Sequence, residues 1–330
     1  LGWKHHCDEG IIMGLAPFGN FNNIVPGTRK TYLAFFRNII REKGDFSFDI
    51  NPKYMDYYNQ RDKWVSDEFI KIFGKKRKNS ANVTQHHKDI AAALQKRLEE
   101  VVIKQLTIAN KKFKFDNLCL AGGVALNCSM NGKILEKKIF KNIFVAPASG
   151  DDGCAIGACY LAYKKKNSKL SPKRDFNFYL GSRFSKSYVK KVLDKNKVKY
   201  TEPENLYKST AKFIADGKIV AWFQGGAEFG PRALGNRSIL CKPFPKSMKD
   251  YLNFRVKFRE GFRPFAPAVL EKYQKMKHLD INITKVMIQK LQVEILNLGV
   301  VMDLEQLILH KQRQRQLVLI GIHQTGLLKQ

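Results

Sequence analysis

The sequence predicts an α/β protein, and three observations carry that reading. NLCLAGG (117–123) and NIFVAPASG (142–150) each read as a short buried strand running into a glycine-bearing turn. Each is followed by a helical pattern, VALNCSMNGKILEKK (124–138) and DDGCAIGACYLAYKKK (151–166), giving a β-α-β-α run. A further strand, KIVAWFQGG (218–226), ends in the same kind of turn. In open α/β sheets, ligands bind at turns beyond the carboxyl ends of strands.

Taken in order, residues 1–80 read as irregular, with a loop at GLAPFGN (14–20) and an aromatic, charged stretch at YMDYYNQRDKW (54–64). A helix is expected from Asp89, with Asp89 as its N-cap and Ile90, Leu94, Leu98, Val101, Val102 and Ala109 on one face. His86 and His87 precede it; adjacent residues point apart at a helix start, so they are not read as a metal pair. KKKNSKLSPKR (164–174) is the expected linker. LYKSTAKFIADG (206–217) reads as a helix stopped by Gly217. Residues 248–270 read as a helix start, a basic stretch and a proline-bounded apolar segment. After about residue 272 the composition changes: residues 273–330 contain no proline, phenylalanine or tryptophan, and nine glutamines against five in all of 1–272. That tail is read as foreign to the preceding fold, as a shifted reading frame would make it.

The net charge of +30 invites a nucleic-acid reading. It is dominated by lysines in helical and loop stretches without aromatic interleaving, so a solvated basic surface that also attracts phosphate-bearing substrates is expected instead. No apolar run reaches membrane-span length. The opening LGWKHHCDEG has no apolar signal region and no initiator methionine, which suggests a fragment. Six cysteines without a C-x-x-C pair, several in apolar segments, are expected to be buried free thiols in a reducing cytoplasm.

The chemistry is expected at the turns. Gly122 and Gly123, between a strand and a helix, let a ligand approach backbone amides, and Asn127 lies a turn further on. Asp151 and Asp152 either cap the next helix or offer one carboxylate to a divalent metal. EFGPRALGNRSIL (228–240) sets Arg232 and Arg237 among glycines, and nine basic against three acidic residues lie between Glu228 and Arg263. Arginine forks match phosphate geometry. The alternation in VKFREGFRPF (256–265) suggests a strand with Lys257, Arg259 and Arg255 on one face.

MGLAPFG (13–19), DIAAALQ (89–95), LCLAGGVALNCSMNGKI (118–134), GDDGCAIGA (150–158), WFQGGAEFGPRALGNRSIL (222–240) and REGFRPFAPAVL (259–270) together resemble the NodU/CmcH carbamoyltransferases, which include the tobramycin carbamoyltransferase. The resemblance covers roughly residues 1–272. It implies the C-terminal half of a Kae1-like domain of the actin/Hsp70/sugar-kinase, RNase H-like fold over 1–168, and a partial YrdC-like α/β domain over 169–272. In the family, the YrdC-like unit makes carbamoyl adenylate from carbamoyl phosphate and ATP. The Kae1-like unit passes the carbamoyl group to a hydroxyl of a sugar or small-molecule acceptor and leaves AMP. By resemblance, Met13, Gly14, Gly122, Gly123 and Asn127 would contact the nucleotide. Asp151 would bind a divalent metal, iron in the family, with Mg2+ accompanying ATP. Arg232, Arg237, Lys257, Arg259 and Arg263 would hold carbamoyl phosphate and the ATP phosphates. The family's H-x-x-x-H pair and its later NTSFN-type segment are absent, so this polypeptide alone is expected to be weakly active or inactive. The nearest rival is a threonylcarbamoyl-type tRNA-modifying enzyme; the fused order and EFGPRALGNRS argue against it. The acceptor is left open and no oligomeric state is assigned.

Overall fold

Short helices, two of them capped by side chains, open the chain where the sequence reads as irregular. The computed structural model of the protein describes residues 1–4, 6–55, 64–167, 177–266, 268 and 302–303. Helix α1 spans Glu9–Leu15 and runs into a 3-10 turn at Ala16–Phe18. Helix α2, Tyr32–Ile39, starts where Thr31 Oγ1 accepts from the Ala34 amide, and it buries Tyr32, Leu33, Phe35, Phe36 and Ile39. Strands β1 (Ile40–Glu42) and β2 (Phe48–Ile50) form an antiparallel hairpin that sets Ile40 opposite Ile50. Helix α3, Asp67–Phe73, is capped by Ser66 and stopped by Gly74 at φ 81°. These elements correct the expectation of irregular structure over 1–80. Most of YMDYYNQRDKW and of the expected linker 164–174 lies outside the described residues.

Helix α4 spans Gln85–Phe113, four residues earlier at its start than expected. Its cap is Thr84, whose amide donates to His87 Nδ1 at 3.1 Å. Asp89 is therefore not a cap. It is buried inside α4, and its carboxylate accepts from the Asn20 amide, Asn23 Nδ2 and Gln85 Nε2, each at 2.8 Å, tying the 20–23 loop to the helix. His86 bridges the core: Nε2 donates to the Phe73 carbonyl, which leaves Nδ1 to accept from the Tyr32 hydroxyl. Around it lie Val25, Phe35, Phe36, Tyr54, Ile90 and Ala93.

Strand β3 (Asn117–Leu120), helix α5 (Cys128–Glu136) and strand β4 (Asn142–Val145) follow the expected order, with β3 beside β4. Neither strand is buried; their residues alternate exposed and half-buried, which corrects the reading of 117–123 as a buried strand. Helix α6 covers Gly153–Lys166 and has no buried residue. The six cysteines are free, four exposed and two half-buried, so the expectation of buried thiols also fails. Cys119 lies on β3 and Cys154 and Cys159 on α6, elements whose residues are exposed or half-buried.

Helices α7 (Lys186–Lys195) and α8 (Leu206–Ala215) are capped by Ser185 and Asn205. Gly217, at φ 84°, follows α8 as expected. Strands β5 (Val220–Phe223) and β6 (Arg237–Leu240) pair antiparallel with Val220 opposite Leu240 and Phe223 opposite Arg237. Strand β7, Met302–Asp303, pairs with the other side of β5. The rest of the tail 273–330 lies outside the described residues.

The architecture is thus mixed α/β with small sheets, and the chain divides into two compact units. The first holds Leu1–Leu120, Asn127–Phe144 and the stretch that begins at Lys249. The second holds Ala121–Leu126, Val145–Met248 and β7. The units therefore cross the boundary expected at 168. The reason for the first unit's composition is local: Trp3 Nε1 donates to Glu260 Oε1 at 2.9 Å, and the Phe262 ring meets Trp3 and Phe18 edge-on. No helix among the described residues is long and apolar enough to cross a membrane.

Gly19 shows how tightly the MGLAPFG segment lies on α4. A Cβ added there would stand 2.0 Å from the Lys88 carbonyl oxygen. Neither backbone can yield without breaking Leu15 and Ala16 away from Ala91, with which they form a core cluster. Gly19→Ala is expected to lower unfolding free energy by about 2–3 kcal/mol, read as a shifted midpoint in urea at unchanged slope.

Candidate functional site

In the second unit, three motif turns meet. Gly122 has φ 91°, a conformation that favours glycine, and its amide donates to the Ser149 carbonyl at 2.7 Å. No atom lies within 4 Å of where a Cβ would stand at Gly122 or Gly123, so the space beside both is open. Gly230, at φ 131°, lies against the same PASG turn; an added Cβ would stand 2.7 Å from the Pro147 carbonyl oxygen. Asp151 and Asp152 are exposed beyond that turn, and Asp152 precedes α6 without a side-chain cap bond.

The loop from 224 to 236, between β5 and β6, carries the arginine motif. Its organiser is Glu228, whose Oε1 accepts from the amides of Leu234 (2.8 Å), Asn236 (2.7 Å) and Arg237 (3.1 Å). Buried Asn236 donates from Nδ2 to the Gly226 carbonyl at 2.7 Å. Within this frame the two arginines differ. The Arg237 guanidinium donates to the carbonyls of Gln224, Asn236, Ser182 and Gly225 and lies 3.5 Å from the Phe223 ring centroid. Burial lowers its pKa, with Glu228 opposing. Arg232 is half-buried and makes no hydrogen bond or ion pair among the described residues. It is the cation of this loop that an anion could engage without displacing a protein contact.

In the first unit, Asn127 caps α5. Its Oδ1 accepts from the Met130 amide at 2.9 Å and from Gln95 Nε2 at 3.1 Å, and its Nδ2 donates to Gln95 Oε1 at 2.8 Å. Met13 Sδ lies 3.9 Å from Cys128 Sγ, so Met13 adjoins the start of α5. Gly14 faces Pro264 at an ordinary contact distance.

The basic segment is not a strand, which corrects that expectation. After the short helix Ser247–Tyr251, one turn of π-helix covers Leu252–Val256, and Phe258 takes φ 49°. A left-handed residue cannot continue an extended run. The chain turns back instead, and Lys257, Arg259 and Arg263 come close together. Burial first, and then the charges of Arg259 and Arg263, lower the Lys257 pKa. Lys257 Nζ has no partner among the described residues. Arg263 Nη1 lies 3.7 Å from Glu260 Oε2, and the Arg259 guanidinium lies 4.7 Å from the Phe265 ring centroid. Fully buried Asn253 stands behind the turn: Nδ2 donates to the carbonyls of Gly261 (3.2 Å) and Arg263 (2.9 Å), and Oδ1 accepts from Arg259 Nε (2.8 Å).

The structure thus brings Gly122, Gly123 and the 147–151 turn to the loop of Arg232. It brings Lys257, Arg259 and Arg263 together in the first unit, and Met13 to the cap at Asn127. Sequence reasoning missed Glu228, Gln95 and Asn253. The signal for Glu228 was a single acid in a Gly/Pro/Arg loop; for Asn253 it was an amide between Leu252 and Phe254. Among the described residues, no three His, Cys, Asp or Glu side chains come together as metal ligands. One exposed aspartate does not make a metal site, so the residues described here do not by themselves fit the metal expected at Asp151.

Residues 1–160 match the family model described as the carbamoyltransferase N-terminus, and residues 211–301 match the carbamoyltransferase C-terminus. The chain belongs to the carbamoyltransferase family of the NodU/CmcH type. It is 38% identical over 278 residues to an uncharacterized protein of Synechocystis, covering 82% of this chain and 44% of that protein. It is 37% identical over 267 residues to the nodulation protein NolNO of Sinorhizobium fredii, covering 80% and 36%. It is 35% identical over 172 residues to the 3'-hydroxymethylcephem-O-carbamoyltransferase of Streptomyces clavuligerus, covering 49% and 30%. The chain spans less than half the length of each of these relatives.

Proposed function

We propose that this chain carries phosphate-handling parts of an enzyme that moves a carbamoyl group from carbamoyl phosphate to an acceptor hydroxyl. The observation that carries the reading is the first unit's cluster of Lys257, Arg259 and Arg263, with Lys257 unpartnered and its pKa lowered. Three cations beside the single carboxylate of Glu260 leave an excess of positive charge that a bound anion would offset. The family match gives the anion its chemical class: a phosphate that bears the carbamoyl group or belongs to the nucleotide.

In this reading the two units supply separate elements. In the first, the cations neutralise phosphate oxygens while water releases phosphate from carbamoyl phosphate and the resulting carbamate displaces pyrophosphate from ATP to give the adenylate. In the second, the open space beside Gly122 and Gly123 lets a ligand approach the turn, and Arg232 offers a free guanidinium. Transfer then forms a bond from the acceptor oxygen to the carbamoyl carbon, breaks the bond to AMP, and releases the hydroxyl proton. Lys257, Arg259 and Arg263 fall within 169–272, the part read as YrdC-like, to which the resemblance assigns adenylate formation. A divalent metal at Asp151 would need its other ligands from polypeptide beyond the residues described. The acceptor is proposed as a sugar or small-molecule hydroxyl, in keeping with the cephem carbamoyltransferase among the relatives.

Calorimetric titration of carbamoyl phosphate tests the reading. Lys257→Ala and Arg263→Ala are each expected to weaken binding by about tenfold, the scale of one charge-assisted contact. Unchanged binding in both variants would remove the cluster from the reaction.

A further inference from the structure

We infer that Asn253 is a positioning residue, which holds Arg259 and the 257–263 turn so that Lys257, Arg259 and Arg263 face one phosphate. The inference rests on the phosphate reading of that cluster. Three facts carry it. Asn253 is fully buried, where an amide is expensive unless every polar atom is matched. All its polar side-chain contacts run to one short segment: Oδ1 to Arg259 Nε, Nδ2 to the Gly261 and Arg263 carbonyls. Its backbone carbonyl also accepts from the Arg259 amide at 2.9 Å. The segment it grips is unfavourable by itself, since it contains Phe258 at φ 49° and packs like charges together.

The position in the chain explains how one residue reaches both sides of the turn. Asn253 sits in the π-helical turn Leu252–Val256, where the wider ring displaces the backbone relative to an α-helix. Its amide thus meets the chain on its way out at Arg259 and on its way back at Gly261 and Arg263. Without the amide, Arg259 loses the 2.8 Å bond from Nε and keeps the weaker contact to the Pro264 carbonyl, at 3.5 Å, and its stacking on Phe265. Repulsion from Lys257 would then drive the arginines apart.

The charged groups that face Lys257 in this cluster are Arg259 and Arg263, with Glu260 paired to Arg263. Burial first, and then the closeness of the two arginines, lowers the pH above which Lys257 loses its proton and stops binding an anion. This gives a readout that stability alone does not move. Inorganic phosphate and carbamoyl phosphate are titrated against the whole chain from pH 7 to 11, for the native protein, Asn253→Ala, Asn253→Asp and Lys257→Ala. The expected result is binding about ten- to hundredfold weaker in Asn253→Ala. The alkaline loss of what binding remains should move up toward the pH of an ordinary lysine. Asn253→Asp keeps the outline and the acceptor for Arg259 but sets a carboxylate against two carbonyls, and should also weaken binding. If Lys257→Ala binds as the native protein does, the phosphate reading itself fails. If Lys257→Ala loses binding while the folded Asn253 variants keep native affinity and the native alkaline limb, the positioning role is overturned. Unfolding of both Asn253 variants would overturn it as well, and assign the residue to stability alone.

Discussion

Arg97→Ala is expected to destabilise the first unit by about 3 kcal/mol at neutral pH, the low end for removing one partner from a buried ion pair. Arg97 is buried in α4, and its guanidinium donates to the Ile40 carbonyl, to Glu42 Oε1 at 2.6 Å and to Glu100 Oε2 at 3.0 Å. Lys104 Nζ reaches the other oxygen of Glu42, and Arg37 grips Glu100 with two bonds. Charges therefore alternate along a line, Lys104, Glu42, Arg97, Glu100, Arg37, joining α2, β1 and α4. Because both carboxylates keep an outer cation when Arg97 is lost, the cost stays at the low end of the range.

The same network fixes the direction of the pH dependence. Burial works against ionisation of Glu42 and of Glu100. Lys104 and Arg97 more than offset it at Glu42, as Arg37 and Arg97 do at Glu100, so both pKa values fall below the ordinary range. A depressed folded-state pKa contributes stability that is present above the unfolded value, about 4.3, and lost as pH falls through the folded value. Urea unfolding at pH 7 and at pH 3 should therefore show the difference between native protein and Arg97→Ala shrinking on acidification. A difference of the same size at both pH values would mean that Arg97 acts by packing rather than by charge.

Arg97 also shows where the sequence stops being legible. The helix around it is plain from Ile90, Leu94, Leu98 and Val101, yet the residues buried deepest include three alanines, Asp89 and Arg97. A charge at a core position looks like a surface charge until its partners are known, and two of those partners, Ile40 and Glu42, come from β1, more than fifty residues away. Strands β3, β4 and β5 were legible because glycine or proline turns bound them. Helix α2 was missed although Tyr32, Leu33, Phe35, Phe36 and Ile39 follow the helical period, because it is only eight residues long and lies among loop-like segments. The segment from Val256 to Phe265 alternates as a strand would, and only the left-handed Phe258 and the buried Asn253 turn that alternation into a loop of converging cations. The composition of the candidate site was thus legible from arginines and glycines, while its geometry depended on uncharged and acidic residues that hold them.

Arg232 and Arg237 put that distinction to the test, since the sequence presents them as equals. Arg237→Ala is expected to cost about 2–4 kcal/mol, because charge-assisted hydrogen bonds and close stacking on an aromatic ring are lost together. Arg237→Lys should recover little of it. A lysine is a point charge on a flexible stem, and it cannot serve the carbonyls of Gln224, Asn236, Ser182 and Gly225 while lying flat on Phe223. Arg232→Ala should leave the melting temperature within about 1 °C of native, as expected for a side chain without partners. It should weaken phosphate or nucleotide binding by about tenfold, read by titration in low salt and again in 0.3 M salt to separate a specific contact from long-range attraction. Melting curves of the three variants beside those titrations decide the matter. Equal melting temperatures for Arg232→Ala and Arg237→Ala, with equal losses of binding, would mean that both guanidiniums serve ligand and that the carbonyl contacts of Arg237 give way when phosphate arrives. A stability loss confined to Arg237 and a binding loss confined to Arg232 would mean that one arginine builds the loop and the other works from it. The grip of Glu228 on the amides of Leu234, Asn236 and Arg237 favours that second outcome: it fixes the backbone after Arg232 while leaving the Arg232 guanidinium without a partner.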